Sequence, residues 1–487
     1  MSTRGITAIG GFIPQTRLEC SDIASQHSWA LPGLKGKARG QRSVASWDQD
    51  AITMGVEALR NSGADLQSVQ QVCFASTSHP FRDRSSAAIA LAALALPETT
   101  LSMDSSCNRR SGTSALLQAL INTQAGDSAI LCAEKRLAQA GSLAEILWGD
   151  GGAAVIVGDQ QPIATLLGWH SCSADIIDYY TADGFYPYPG EERWVKEQLI
   201  IPTVSSSVNN ALQVANLKAS DIHWAVLPAP ASGAEKALAR ELGLEQAQLA
   251  TQQVLATAGD LGSALPLYGL AVALEQAQHD DIILLSSFGS GCDSLLFKVN
   301  KQRSAQSPTA DTPTSASHQL NQSLAISYGA YASSRGLLDI DFGPRAERVD
   351  KIALTVHERG RRDISGFIGG KVSADGAVQF PKSPVAMDDT VMIESDYIDV
   401  RLADDIATVV SITTDHLIYT PQPPFRYGLV EFENGARVQM EFVDVSDAGV
   451  AIGDRVSMKF RIKSIDRERG YRHYFWKAAP LTTTEQQ

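Results

Sequence analysis

The sequence predicts a duplicated, layered α/β fold that carries a small β-barrel at its C-terminal end. Three observations predict it. One helix–strand–turn–strand unit occurs twice in the first 300 residues, a polar stretch over 301–322 interrupts the chain, and short alternating strands follow from Asp396 onward.

The first copy runs from Gly112-Thr-Ser-Ala-Leu116 through an apolar helix to the strand Asp127-Ser-Ala-Ile-Leu131, then Trp148-Gly-Asp-Gly151 and the strand Ala153–Val157. The second runs from Gly262-Ser-Ala-Leu265 through a helix to Asp281-Ile-Ile-Leu-Leu285, then Phe288-Gly-Ser-Gly291 and the strand Ser294–Val299. Two copies of one α/β unit make an internal duplication. The glycines of each aromatic-Gly-x-Gly turn permit positive φ and close backbone approach. Ala129–Ala133 is a short apolar strand that would be a sticky sheet edge if left unpaired.

Asp104-Ser-Ser-Cys107 precedes the first of these helices. A cysteine where a strand hands over to a helix start would feel the positive end of the helix dipole, which favours thiolate over thiol. Cys107 is the candidate nucleophile, although free cysteine is also among the most buried residue types.

These residues carry a family resemblance. The first 300 residues resemble the thiolase superfamily, in the branch holding HMG-CoA synthase and ketoacyl-ACP synthase III. The matching segments are Gly10-Gly-Phe-Ile-Pro14, Ala45–Met54, Trp148-Gly-Asp-Gly-Gly-Ala-Ala154 and Asp178–Gln198 with Tyr186-Pro-Tyr-Pro. The resemblance implies two layered α/β halves, a coenzyme A or carrier-protein thioester as substrate, acyl loading on Cys107, and carbon–carbon bond formation. It places Lys35, Lys37 and Arg39 where the family has a loop facing the cofactor. It implies no permanently bound cofactor, a homodimer paired through a sheet edge, a possible second thiolase-like subunit, and acyl-CoA or an acyl-carrier protein as partner. Set against the family's pattern, His79 in Ala75-Ser-Thr-Ser-His79 and Asp260 in Gly259-Asp260 are the candidate proton-moving groups, and the amides of Gly289, Ser290 and Gly291 are the candidate oxyanion donors.

The departures are as informative. Pro228-Ala-Pro230 stands where the family has a histidine, Asp260 where it has the asparagine of a Gly-Asn loop, and Thr77 where HMG-CoA synthase has its glutamate. Gly112-Thr lies two residues further from Cys107 than in the family pattern, so without an insertion the nucleophile position falls on Arg109. Loss of one oxyanion donor alone costs on the order of 10²–10³ in rate. Three readings follow: an acyltransferase or C–C bond-forming synthase working through Cys107, a retro-aldol lyase on a CoA ester with a tyrosine or aspartate as base, and a non-catalytic scaffold.

The tail resembles the zinc-ribbon and OB-fold proteins that accompany thiolase-like enzymes. Residues 301–322 read as a flexible linker, 323–390 as a connecting helix and degenerate ribbon, and 391–487 as the OB-fold, with Asn434-Gly435 a hairpin turn. Val372, Asp375, Pro384 and Met387 stand where ribbon cysteines would be, and no cysteine follows Cys292. A structural zinc needs four N, S or O ligands, so no zinc is expected.

Composition excludes other classes. The chain of 487 residues has 44% hydrophobic and 20% charged residues and a net charge of −13. Residues 391–480 hold 14 acidic against 11 basic side chains, the wrong sign for a nucleic-acid groove. Ala87–Leu96, the longest apolar run, is too short to span a membrane, and six cysteines without metal-like spacing suit a reducing cytoplasm.

Overall fold

The computed structural model describes residues 4–122, 126–182, 184–300, 314–338, 340–341, 353–373, 376–386, 396–446 and 449–481. The chain forms two compact units. The first comprises Met1–Ser46, Asp50–Ala88 and Thr99–Tyr331, and the second Trp47–Gln49, Ile89–Glu98 and Ala332–Gln487.

The first unit is built on a nine-stranded sheet. In chain order its strands are β1 (Gly5–Phe12), β2 (Val69–Ala75), β3 (Leu101–Ser105), β4 (Asp127–Glu134), β5 (Gly151–Gly158), β6 (Ala164–Ser173), β7 (Trp224–Val226), β8 (Ile282–Phe288) and β9 (Gly291–Val299). Across the sheet the order is β7-β8-β9-β6-β1-β5-β4-β2-β3. The duplication is visible in the pairing. β2 runs parallel to β4, which pairs antiparallel with β5; β7 runs parallel to β8, which pairs antiparallel with β9.

The two repeated helices are α1 (Ser111–Ile121) and α2 (Leu265–Gln276). α2 is buried from Leu265 through Leu274, and α1 over most of its length. A helix that is apolar all round is buried on every side, as α2 is from Leu265 to Leu274, whereas α1 leaves Gln118 and Ile121 exposed. Gly112 permits the close approach at the start of α1: a Cβ there would meet Cys132 Sγ at 2.8 Å and the Ser263 carbonyl at 3.0 Å. The core joins both copies, with Leu116, Cys132, Ala153, Val155, Leu267, Leu285 and Leu295 in one cluster.

Two expectations are corrected here. Ala129–Ala133 is no edge: it belongs to β4, between β2 and β5, and is fully buried. The edge on that side is β3, where Leu101 is 60% and Met103 36% exposed. Residues 314–322, read as linker, contain the helix Ala316–Asn321, capped by the Ser315 hydroxyl, with Ala316 and Leu320 buried in the first unit's core. Its first two amides donate to Glu275 at 2.7 and 2.9 Å, and one small and one large apolar residue suffice to anchor it. Residues 301–313 lie outside the described residues.

In the second unit, Ala407–Val409, Thr413–Asp415, Phe425–Phe432, Arg437–Glu441, Arg455–Asp466 and Tyr471–Pro480 form one antiparallel sheet. Asn434-Gly435 makes the hairpin turn, with Gly435 at φ +85° and its N–H donating to the Phe432 carbonyl at 2.9 Å. The Phe442–Ala478 bridge brings the end of the Arg437–Glu441 strand onto Tyr471–Pro480 and curls the sheet toward a barrel. Tyr474 and Trp476 are buried inside it, and Trp476 Nε1 donates to the Ser365 carbonyl at 2.7 Å. Phe425 and Tyr427 are half-buried and lie against each other, 5.4 Å between centroids. The ribbon segment is a three-stranded sheet of Ile368–Lys371, Val378–Gln379 and Ile398–Arg401. Val372, Asp375, Pro384 and Met387 could supply one carboxylate at most, which does not fit a tetrahedral zinc; Asp375 and Met387 lie outside the described residues. Among the described residues no cluster of three or more His, Cys, Asp or Glu could hold a metal, and no helix is long and apolar enough to cross a membrane.

Candidate active site

A cavity of about 1100 Å³ in the first unit is lined by Thr77, Ser78, His79, Cys107, Arg109, Arg136, Trp148, Asp178, Tyr179, Gly289 and Ser290, among others. The C-terminal ends of β2 and β3, the turn before α1 and the turn between β8 and β9 all reach it. Cys107, His79, Gly289 and Ser290 are therefore brought together; Lys35, Lys37 and Arg39 are not among its lining residues. Lys35 lies in the short 3₁₀ turn Pro32–Gly36, and Lys37 is tied to Glu192 at 2.6 Å.

Cys107 is exposed and sits at φ +75°, a left-handed conformation that a cysteine seldom adopts. Helix α1 starts only at Ser111, because Asn108 Oδ1 accepts from the Arg110 N–H at 3.0 Å and holds an extra turn ahead of it. This corrects the helix-start reading. The dipole field falls off within the first turn, and Cys107 precedes the N-cap residue Arg110 by three positions. Its five fellow thiols are less accessible: Cys172 is partly exposed and the other four are buried. Burial pushes Cys20 up to about 11, Cys73 to about 12 and Cys292 to about 11.

Arg109 is the residue that packs against the Phe288-Gly-Ser-Gly turn. A Cβ on Gly289 would meet the Arg109 nitrogen at 2.8 Å, so only glycine lets the two loops approach. The Arg109 side chain is buried, with Nη1 3.1 Å from Asp260 Oδ2 and the guanidinium 4.5 Å from the Tyr179 ring centroid. Arg136 approaches the same carboxylate oxygen at 3.4 Å and stacks 4.2 Å from the Trp148 ring centroid. The Gly262 N–H donates to Asp260 Oδ1 at 2.9 Å. Burial alone would raise the Asp260 carboxyl, but Arg136, Arg109 and the Gly262 N–H outweigh it and hold it below the usual carboxylate range. A carboxylate so held stays ionised and is a poor proton acceptor, which corrects the reading of Asp260 as a recruited base.

His79 is also committed. Its Nε2 lies 3.2 Å from the Ser105 carbonyl, which can only accept, so Nε2 carries the proton in the neutral ring. Nδ1 then accepts from the Ser86 hydroxyl at 2.8 Å, and no lone pair is left for a substrate. The histidine joins the end of β3 to the start of the helix Ser86–Ala93, whose first amides Asp104 caps at 2.8 and 2.9 Å.

The proposed oxyanion trio does not converge. The Gly289 N–H donates to the Gly291 carbonyl at 3.0 Å, and Gly291 is a strand residue opposite Ser173, outside the cavity lining. Ser290 lines the cavity at φ +47°, and its carbonyl accepts from the Ala174 N–H at 3.1 Å.

Sequence reasoning missed three residues. Arg136 and Tyr179 complete the charged, aromatic wall around Asp260. Glu134, at the end of β4, is fully buried and accepts from the Thr77 N–H at 2.8 Å, the Thr77 hydroxyl at 3.0 Å and the Ser78 hydroxyl at 2.7 Å. A lone acid closing the apolar strand Ala129–Ala133 was the only signal the sequence offered for it.

The comparisons agree with this architecture. The family profile of the ChsH2 C-terminal OB-fold domain matches residues 400–461. The chain is 27% identical to the hydroxymethylglutaryl-CoA synthase of Aeropyrum pernix over 348 residues, covering 69% of this chain and 95% of that one. It is 28% identical to the corresponding protein of Archaeoglobus fulgidus over 304 residues, covering 61% and 88%. Among solved structures, HMG-CoA synthase complexed with CoA superposes with a TM-score of 0.59 at 17% identity, covering 82% of this chain and all of that one. The 3-oxoacyl-(acyl carrier protein) synthase III of Pseudomonas aeruginosa gives 0.53 at 21% identity, covering 62% and 100%. The chain thus has a thiolase-like fold of the HMG-CoA synthase and ketoacyl-ACP synthase III kind, fused to a C-terminal OB-fold domain.

Proposed function

We propose that the protein is an acyltransferase or C–C bond-forming synthase that takes an acyl-CoA or acyl-carrier thioester into the cavity and carries the acyl group on Cys107. The observation that carries this reading is that Cys107, the one exposed thiol of six, opens onto a cavity of about 1100 Å³. The names of the relatives support the same class, since hydroxymethylglutaryl-CoA synthase and 3-oxoacyl synthase III are acyl-thioester enzymes.

In the acylation step Cys107 Sγ, as thiolate, attacks the thioester carbon, and the coenzyme A or carrier thiolate leaves and takes up a proton. An acceptor nucleophile then reverses the process and frees Sγ. Trp148, Tyr179 and Arg109 wall the cavity, excluding water from one side of it. No resident metal or cofactor enters the scheme.

Intact-mass measurement after mixing with acetyl-CoA tests it. An acetyl adduct on wild type and none on Cys107→Ala supports acyl transfer; an unmodified chain across acyl lengths rejects it. One observation favours the retro-aldol lyase reading instead: the cavity wall holds a tyrosine, Tyr179, whose ring lies 4.5 Å from the Arg109 guanidinium. A CoA ester cleaved to an aldehyde or ketone by the Cys107→Ala protein would select it.

A further inference from the structure

Glu134 is the acid that the scheme above leaves unused. It is fully buried at the end of β4, and among the described residues no cation lies within ion-pair distance of it. Its partners are hydroxyls and one amide. Thr77 Oγ1 stands 3.0 Å from both carboxylate oxygens, Ser78 Oγ donates at 2.7 Å, the Ser263 hydroxyl donates to Oε1, and the Thr77 N–H donates at 2.8 Å. Ser76 Oγ is 3.4 Å away and gives its proton to the Ala133 carbonyl at 2.7 Å. A buried carboxylate has to be satisfied by hydrogen bonds, and here hydroxyls and an amide supply them.

The hydroxyls differ in what else they do. Ser78 Oγ accepts from the Lys135 N–H at 2.9 Å, and Ser76 Oγ from the Ser78 N–H at 3.0 Å. Ser263 Oγ is buried and lies 3.4 Å from the Cys132 thiol that donates to it. Thr77 Oγ1 alone combines a place in the cavity wall with lone pairs that accept from no described residue. Thr77 thus lines the cavity while its hydroxyl donates to a buried carboxylate.

We infer that Thr77 and Glu134 form a proton wire that removes a proton from the carbon next to a thioester carbonyl bound in the cavity, an inference that rests on the acyl-thioester reading. The α-carbon proton passes to Thr77 Oγ1 while the Thr77 hydroxyl proton passes to Glu134. The C–H electron pair stays on the substrate as the thioester enolate, and Glu134 ends as a carboxylic acid. The reverse transfer returns a proton to carbon. Thr77 is the catalytic residue, touching substrate, and Glu134 acts through it; the substrate class is an acyl thioester with at least one α-hydrogen.

Deuterium wash-in from D₂O into the acetyl group of acetyl-CoA, read by mass, tests the wire with the full chain. Wild type should exchange faster than buffer. Thr77→Val should lower the exchange kcat by on the order of 10² with KM for acetyl-CoA changed less than threefold, and Thr77→Ser should restore exchange to within threefold of wild type. Glu134→Gln, where it folds, should match Thr77→Val. Wild-type exchange surviving in Thr77→Val, or a loss confined to KM, overturns the wire. Acetylation of Cys107 without any α-exchange overturns the wire and leaves the acyl-thioester reading standing, whereas neither adduct nor exchange overturns both.

Discussion

Arg109 Nη1 and Asp260 Oδ2 lie 3.1 Å apart with both side chains under a tenth exposed, and Arg109 also lines the cavity that Cys107 opens onto. Their charges are spent on each other and on Arg136. Neutralised in this way, and not among the residues lining the cavity, Asp260 offers a bound thioester neither a hydrogen-bond donor nor a base.

The first prediction concerns this pair. Asp260→Asn should lower stability by about 3–5 kcal/mol, because it removes the carboxylate that two buried guanidinium groups share. It should not raise condensation of malonyl-CoA with acyl-CoA above background, since Arg109 still fills the wall against Gly289. The sign with pH follows from a carboxyl held below its ordinary range: its contribution is complete above the unfolded value of 3.8 and is lost as pH falls through the lower folded value. Thermal melts of wild type and variant at pH 7 and near pH 3 check this; their difference should shrink in acid.

Thiol reactivity gives the second prediction. At pH 7.5 and short exposure, iodoacetamide should add one carbamidomethyl group, on Cys107, because Cys20, Cys73, Cys132 and Cys292 are buried with their thiols pushed up. Peptide mapping that finds Cys172 labelled first would count against Cys107 as the accessible nucleophile.

Much of the fold was legible because both repeats carry a largely buried helix and glycine turns that admit close approach, patterns local to the chain. Strand order was not. Ala129–Ala133 reads equally as a buried strand or a sticky edge, and only the parallel crossover between β2 and β4 buries it. The start of α1 was displaced by one side-chain hydrogen bond, Asn108 to Arg110, which no periodicity reveals. Thr77 was legible as the loss of a carboxylate, whereas the carboxylate behind it comes from Glu134 on a neighbouring strand, 57 positions away.

The third prediction is that the second unit carries no zinc. Val372 and Pro384 offer no donor side chain, and a structural site needs four ligands. Elemental analysis of the purified full chain should find well under one zinc per chain, and EDTA should leave the melting temperature unchanged.

The last prediction is assembly through β3. Among the described residues strand β3 pairs with β2 alone, and it exposes Leu101 at 60% and Met103 at 36%. An exposed edge with apolar side chains is a template for another strand, and isologous pairing of two copies would join their sheets across it. We expect a dimer in solution at micromolar concentration. Charge is the natural way to block such an edge, so Leu101→Lys with Met103→Lys should shift the mass measured by light scattering from dimer to monomer while leaving the circular dichroism spectrum unchanged. Because Ser105 at the end of β3 leads in two residues to Cys107, the same variant should also slow acylation of that thiol. A wild-type monomer, or a dimer that survives both lysines, would put the interface elsewhere.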